Sequence, residues 1–313
     1  MKLGFIKPNY PNEKRVALMP DDIKDFKNNI IIEKGFGAFM DIKDSAYEDV
    51  GCSIYDRKKV YAESDAIFSL KLIQPSDYDY IKEGQIIVGW THPLDSGKEF
   101  MEKQGIPKKL VIVDLDNISP KVFYKDKSIS IDWIPKNFIY KNSFYAGYSA
   151  AMHGFMSFGI IPNSHTKIAI LAPGNVSQGA FYASSLFGSD IRLYYRSTMN
   201  EFKENIGEYD IIINGIEISA KDDPIISLSL QKDIKNNALV IDAAADAGNA
   251  IEGTRFTTMD DPIYKENDIY FYLVNNAPSI YFKEASKAIS KSFSKYIYSR
   301  DLKEIVDLVS KIK

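Results

Sequence analysis

The sequence predicts an α/β protein made of two Rossmann-like domains, with parallel sheets separated by a cleft. Three observations predict it. Short apolar runs alternate with amphipathic, charged stretches along most of the chain. Such alternation implies parallel strands joined by crossover helices. A helical stretch at 142–159 divides two series of this kind, and 313 residues suffice for two ordinary domains.

In the first series, Leu3–Ile6, Ile30–Ile32, Ala66–Leu70, Gln85–Gly89 and Leu110–Val113 read as strands. Helix-like pieces lie between them at 20–27, 57–64, 76–82 and 96–104. In the second series the strands are Lys167–Leu171, Ile191–Tyr195, Asp210–Ile213 and Ala238–Asp242, with a further run at Ile269–Val274. A helix fits 224–235. The stretch 279–313 has helical periodicity, Lys/Glu-rich polar faces and no glycine. The expected division places 1–140 and 276–313 in a substrate and catalytic domain, and 141–275 in a nucleotide-binding domain.

Composition narrows the function classes. The chain is 45% hydrophobic and 26% charged, which is ordinary for a globular protein. A formal net charge of −3, with no basic tract, gives no electrostatic case for nucleic acid or a membrane surface. Small molecules are the expected partners. The single cysteine, Cys52, excludes an intramolecular disulfide and a cysteine metal cluster, and no metal is expected. The start lacks the long apolar core of a signal peptide. The most apolar window, 146–162, is interrupted by His153 and is shorter than the ~20 residues a bilayer needs. A cytoplasmic location is expected.

The turn after Lys167–Leu171 should read G-x-G-x-x-G in a dinucleotide site, but it reads Ala172-Pro173-Gly174-Asn175-Val176-Ser177. The first glycine permits a tight turn, the second lets backbone approach the pyrophosphate, and the third allows close helix–strand packing. Gly174 keeps the middle job. Ala172 and Ser177 add only small side chains, and the amides from Asn175 onward can hold a phosphate. The competing reading is an α/β turn with no ligand. A ribose-binding acid is expected about 20 residues further on; the strand end there carries Tyr195-Arg196-Ser197-Thr198 instead. Arginine with hydroxyls suits a 2′-phosphate and so favours NADP(H) over NAD. A solvated surface charge is the plainer reading of Arg196.

Lys71, in SLKLIQP, and His92, in GWTHP, lie at the carboxyl ends of two predicted parallel strands, where active sites form. Arg15 lies in EKRVAL, near a strand or loop edge. Surface charge and a structural hydrogen-bonding histidine are the alternatives. In the second series, Asp242 to Asn249 ends a strand with two acids and a glycine; Asp246 fits a functional loop position or an Asx-turn. Asn214-Gly215 follows another strand and could pass close to a ribose.

Together these residues resemble the alanine dehydrogenase and pyridine-nucleotide transhydrogenase superfamily. The resemblance rests on EKRVAL, the lysine of SLKLIQP, the histidine of GWTHP, the aspartate of AADAGN, and EGTRFTTMDDPIY followed by VNNAP. Within it, SDAIFSLKLIQPSDY, KNSFYAGY, YDIIINGIEI and IDAAADAGNAIEG are similar to the carboxyethyl amino acid synthases. The resemblance implies that Arg15 and Lys71 bind the carboxylate of a 2-oxo acid. It implies that His92 bonds the carbonyl oxygen and acts as acid/base. Asp246 would lie near the nicotinamide and the reacting amine. Ala172 to Gly179, Asn214-Gly215 and Asn276-Ala277-Pro278 would line the cofactor site. The implied reaction is NADPH-dependent reductive condensation of pyruvate with the side-chain amine of ornithine, or of lysine, in a homo-oligomer (dimer or tetramer). An alanine or saccharopine dehydrogenase and a non-catalytic NADP-binding regulator are the rival readings.

Overall fold

A computed structural model describes residues 1–219 and 221–313. The described chain forms two compact units: Met1–Ile139 with Phe282–Lys313, and Tyr140–Tyr281. Segment 276–281 therefore belongs to the second unit. Among the described residues no helix is long and apolar enough to cross a membrane.

The first unit carries an eight-stranded sheet in the order β3-β2-β1-β4-β5-β6-β7-β8. Its parallel strands are β1 (Lys2–Phe5), β2 (Asn29–Glu33), β3 (Ser53–Tyr55), β4 (Ala66–Ser69), β5 (Ile86–Gly89) and β6 (Val111–Asp114). Strand order reverses between β1 and β4, the kind of switch point where α/β folds bind ligands outside the carboxyl ends. The register aligns Ser69 with Gly89 and Gly89 with Asp114, so the loops after β4, β5 and β6 start side by side. β4, β5 and β6 are buried throughout, which is why they read as unbroken apolar runs.

The antiparallel hairpin β7 (Lys121–Tyr124) and β8 (Lys127–Ser130) extends the edge. Sequence reading does not find it. Its turn uses Lys125 at φ 55° rather than Asn-Gly, and β8 is mostly exposed. The expected helix at 20–27 is only a 3-10 turn, Pro20–Asp22, with Asp25 left-handed at φ 54°. The expected helix at 96–104 is one α turn, Lys98–Phe100, running into a π turn.

The helix Phe282–Phe293, with the π turn Ser294–Tyr298 and the last helix Leu302–Ser310, returns to this unit. Phe293 and Tyr298 meet Phe68, with Tyr298 also edge-on to Phe5 at 4.8 Å. Its polar side chains matter as much. The Ser286 hydroxyl accepts from Val16 N–H at 2.8 Å, and the Ser290 hydroxyl from Met19 N–H at 2.7 Å. Tyr47 Oη and Tyr298 Oη donate to the carbonyls of Leu18 and Ala17. The loop after β1 is thus fixed along its backbone.

The second unit has a six-stranded sheet in the order β10-β9-β11-β12-β16-β15. β9 (Lys167–Leu171), β10 (Asp190–Tyr194), β11 (Ile211–Asn214), β12 (Leu239–Asp242) and β16 (Ile269–Tyr272) run parallel; β15 (Ile263–Glu266) is an antiparallel edge. Two-residue strands β13 (Ala247–Gly248) and β14 (Ile251–Glu252) pair outside it. The expected helix at 224–235 shrinks to Leu228–Gln231, because the Ser227 hydroxyl caps the chain there.

The long helix Tyr140–Phe158 crosses the helix Asn175–Ser185 backbone to backbone. A Cβ on Gly147 would stand 1.7 Å from the Val176 carbonyl oxygen, and one on Gly179 1.9 Å from that of Phe144. No side chain fits either position. Gly179 thus supplies the close helix packing, two residues beyond the place where the fingerprint puts its third glycine.

Candidate active site

In the first unit the loop after β1 brings Glu13 and Arg15 into a buried pair. Arg15 is 2% exposed and Glu13 4%. Arg15 Nε donates to Glu13 Oε1 at 2.8 Å and Nη2 to Oε2 at 2.6 Å; the Arg15 amide also donates to Oε1. The guanidinium lies 5.0 Å from the centre of the Trp90 ring. Lys71 Nζ approaches the same indole at 5.8 Å and the Tyr10 ring at 5.2 Å. Two cations therefore approach one indole ring, a contact that offsets part of their desolvation.

Their electrostatics follow from this crowding. Burial first, and then the Arg15 guanidinium, pull the Lys71 amine down to about 8, with Glu13 opposing. For Glu13, burial works against the charged form. Arg15 and Lys71 overcome it and hold the carboxyl below the ordinary glutamate range.

His92 opens the loop after β5 with a left-handed backbone, φ 40°, and an exposed side chain. The buried Asp114, at the end of β6, accepts three hydrogen bonds on Oδ1: from Thr91 N–H at 2.9 Å, Thr91 Oγ1 at 3.0 Å and His92 N–H at 3.0 Å. Arg15, Lys71 and His92 thus lie on the loops that follow β1, β4 and β5. Arg15 is not a surface charge.

In the second unit the turn after β9 keeps the strand–turn–helix form. Ala172 is left-handed at φ 72°, a conformation that glycine adopts more cheaply. Its N–H donates to the Tyr194 carbonyl at 2.8 Å, tying this turn to the end of β10, where Tyr195, Arg196 and Ser197 are exposed. Ser177 is fully buried and its hydroxyl donates to the Leu171 carbonyl at 2.6 Å. Gly215 makes room for it, since a Cβ there would stand 2.1 Å from Ser177 Oγ. Gly174 precedes the helix Asn175–Ser185. A Cβ on Gly174 meets nothing within 4 Å.

The loops after β11 and β12 are knitted by amides and acids. Asn214 Nδ2 donates to Asp242 Oδ1 at 3.0 Å and to the Ile216 carbonyl at 2.9 Å. Asp242 Oδ2 accepts from Asp246 N–H at 3.1 Å. Asp246 in turn accepts from Ile218 N–H at 3.0 Å and Asn249 Nδ2 at 2.6 Å. Burial lifts the Asp242 carboxyl to about 6, against the bonds from Asn214 and Asp246. Asn276 and Pro278 are buried in the turn after β16. Among the described residues no group of three or more metal-ligating side chains is assembled.

Residues 5–121 match the alanine dehydrogenase/PNT N-terminal domain, and residues 169–311 match the alanine dehydrogenase/PNT C-terminal domain. The chain belongs to the alanine dehydrogenase/PNT family. An N(5)-(carboxyethyl)ornithine synthase of Clostridium botulinum is 55% identical over 100% of this chain and 99% of that protein. One of Lactococcus lactis is 54% identical over 99% of this chain and 100% of its own length. The solved structure of an L-alanine dehydrogenase superposes with a TM-score of 0.78 at 19% identity, covering 99% of this chain and 94% of that one. That likeness shows the two-unit Rossmann-like fold shared across the alanine dehydrogenase/PNT family.

Glu13, Trp90, Asp114 and Ser286 are the site neighbours that sequence reasoning does not single out. Glu13 and Trp90 stand two residues from Arg15 and His92 respectively, which is the one signal that could have found them.

Proposed function

We propose that this chain catalyses the NADPH-dependent reductive condensation of pyruvate with the side-chain amine of ornithine, forming an N-(1-carboxyethyl) amino acid. The observation that carries the reading is the full-length identity above one half to relatives bearing that activity in their name. The first unit fits a small 2-oxo acid. Arg15 and Lys71 bring two positive charges to one indole ring, suited to a carboxylate. They also draw electron density from the neighbouring carbonyl. His92 donates the proton to the departing oxygen as the amine adds and water leaves, a role suited to imidazole at neutral pH. In this reading Asp246, whose carboxylate accepts from Ile218 N–H and Asn249 Nδ2, is the acid beside the nicotinamide.

The second unit fits a pyridine dinucleotide. The space over Gly174 admits a pyrophosphate, and the first amides of the helix Asn175–Ser185 offer donors to it. Asn214, Gly215, Asn276 and Pro278 line the remainder. When bound, the reduced nicotinamide supplies the hydride that reduces the imine carbon. Arg196 and Ser197 follow Tyr194, whose carbonyl accepts from the Ala172 amide of the pyrophosphate turn, and in this reading they contact the 2′-phosphate.

Three outcomes test these roles. Steady-state kinetics of Arg196→Ala should raise the KM for NADPH on the order of tenfold or more while leaving that for NADH nearly unchanged, as expected for one lost charge-assisted contact. Equal losses would remove Arg196 from cofactor choice. Gly174→Val should leave the melting temperature unchanged, because its Cβ projects into open space, while NADPH binding by calorimetry is lost. Retained affinity would move the pyrophosphate elsewhere. The KM for pyruvate should rise as pH climbs through about 8, where the Lys71 amine loses its charge, and Lys71→Met should flatten that limb.

A direct assay separates the rival dehydrogenases. NADPH oxidation should require pyruvate and ornithine together. Faster oxidation with pyruvate and ammonia would indicate an alanine dehydrogenase instead.

A further inference from the structure

We infer that Asp114 is the positioning residue for His92: it holds the Thr91–His92 corner in the left-handed conformation that aims the imidazole at its substrate. The inference rests on the acid/base reading of His92.

A non-glycine residue at φ 40° is uncommon and persists only where its surroundings impose it. Here the surroundings grip both sides of the residue. On one side Asp114 takes Thr91 N–H, Thr91 Oγ1 and His92 N–H on a single oxygen. On the other, the His92 carbonyl accepts from Asp95 N–H at 3.1 Å and Gly97 N–H at 2.9 Å. The loop folds so tightly that a Cβ on Gly97 would stand 1.9 Å from the Thr91 carbonyl oxygen. Asp114 ends β6, in register with Gly89 of β5, so the rigid sheet supplies the anchor. The imidazole meanwhile is exposed. Its direction is therefore set through the backbone rather than by packing of the ring. A catalytic group displaced by about an ångström can lose on the order of 10²-fold in rate.

All three bonds end on Oδ1, so an amide can replace the carboxylate without losing an acceptor. Asp114→Asn should keep kcat within about threefold, while Asp114→Ala should lower kcat by roughly 10- to 100-fold with the KM for NADPH unchanged. In the His92→Asn background, Asp114→Ala should cost less than about twofold, since residues acting through one another are non-additive. Should Asp114→Ala fail to fold, Asp114→Ser, whose hydroxyl reaches fewer of the three donors, carries the same comparison. The inference is overturned if the alanine or serine variant costs the same factor in both backgrounds. It is also overturned if a folded Asp114→Asn is as impaired as alanine. A His92→Asn enzyme with full turnover would instead overturn the acid/base reading itself, which separates the two failures.

Discussion

His92→Asn lowers turnover by about 10²–10⁴-fold, the range that a positioned acid/base group contributes. The expected loss lies in kcat. Arg15 and Lys71, the residues proposed to hold the carboxylate, are untouched on the loops after β1 and β4, so the KM for pyruvate should change little. NADPH affinity should be unaffected, because the residues proposed to bind it belong to the other unit. Folding should also be unaffected: the side chain is exposed, and asparagine accepts a left-handed backbone more readily than most residues. Steady-state kinetics with a melting curve check all four statements. A loss under about tenfold in a folded variant would remove His92 from the proton transfer.

Arg15→Ala damages both stability and catalysis. Removing one partner of a buried ion pair typically costs about 3–5 kcal/mol, because the other charge stays behind uncompensated. Here Glu13 stays behind, 4% exposed. The sign of the pH dependence then changes. In the native chain the Glu13 carboxyl sits below its ordinary value, so the pair's contribution is complete above that value and is lost as pH falls through the folded one. Without the guanidinium only Lys71 and the backbone amide of residue 15 oppose the effect of burial, so the variant's deficit should shrink on acidification. Chemical denaturation at pH 4 and pH 7 reads this directly. A double variant with Glu13→Gln should recover much of the stability. It should not recover pyruvate use, whose kcat/KM falls roughly 10- to 100-fold with the lost charged hydrogen bonds. Full recovery of both would mean Arg15 is structural only.

Much of this arrangement is legible in the sequence. The buried strands show themselves as apolar runs, and the residues just past their carboxyl ends include Lys71 and His92. The fingerprint turn is legible through Gly174, and the helix boundary at Asn175 follows it. What stays hidden acts through the backbone or across long separations. Asp114 ends an apolar run like any other strand, and only the register with β5 brings it to Thr91. Ser286 looks like one more polar residue in a C-terminal helix, yet it holds the amide next to Arg15 from 270 positions away. The exchange of small groups between Ser177 and Gly215 is a packing event, which no spacing along the chain records. The π turns and the short hairpin β7–β8, whose second strand is mostly exposed, lack the periodicity that marks helices and buried strands.

The central claim is that a new carbon–nitrogen bond joins the pyruvate carbon to the side-chain nitrogen of ornithine. NMR and mass spectrometry of the product made from pyruvate, NADPH, unlabelled ammonium and ornithine labelled with 15N on its side chain test it most directly. The account predicts a secondary amine whose labelled nitrogen couples to a new CH bearing a methyl and a carboxylate. Alanine carrying an unlabelled nitrogen, with the ornithine recovered unchanged, would contradict it.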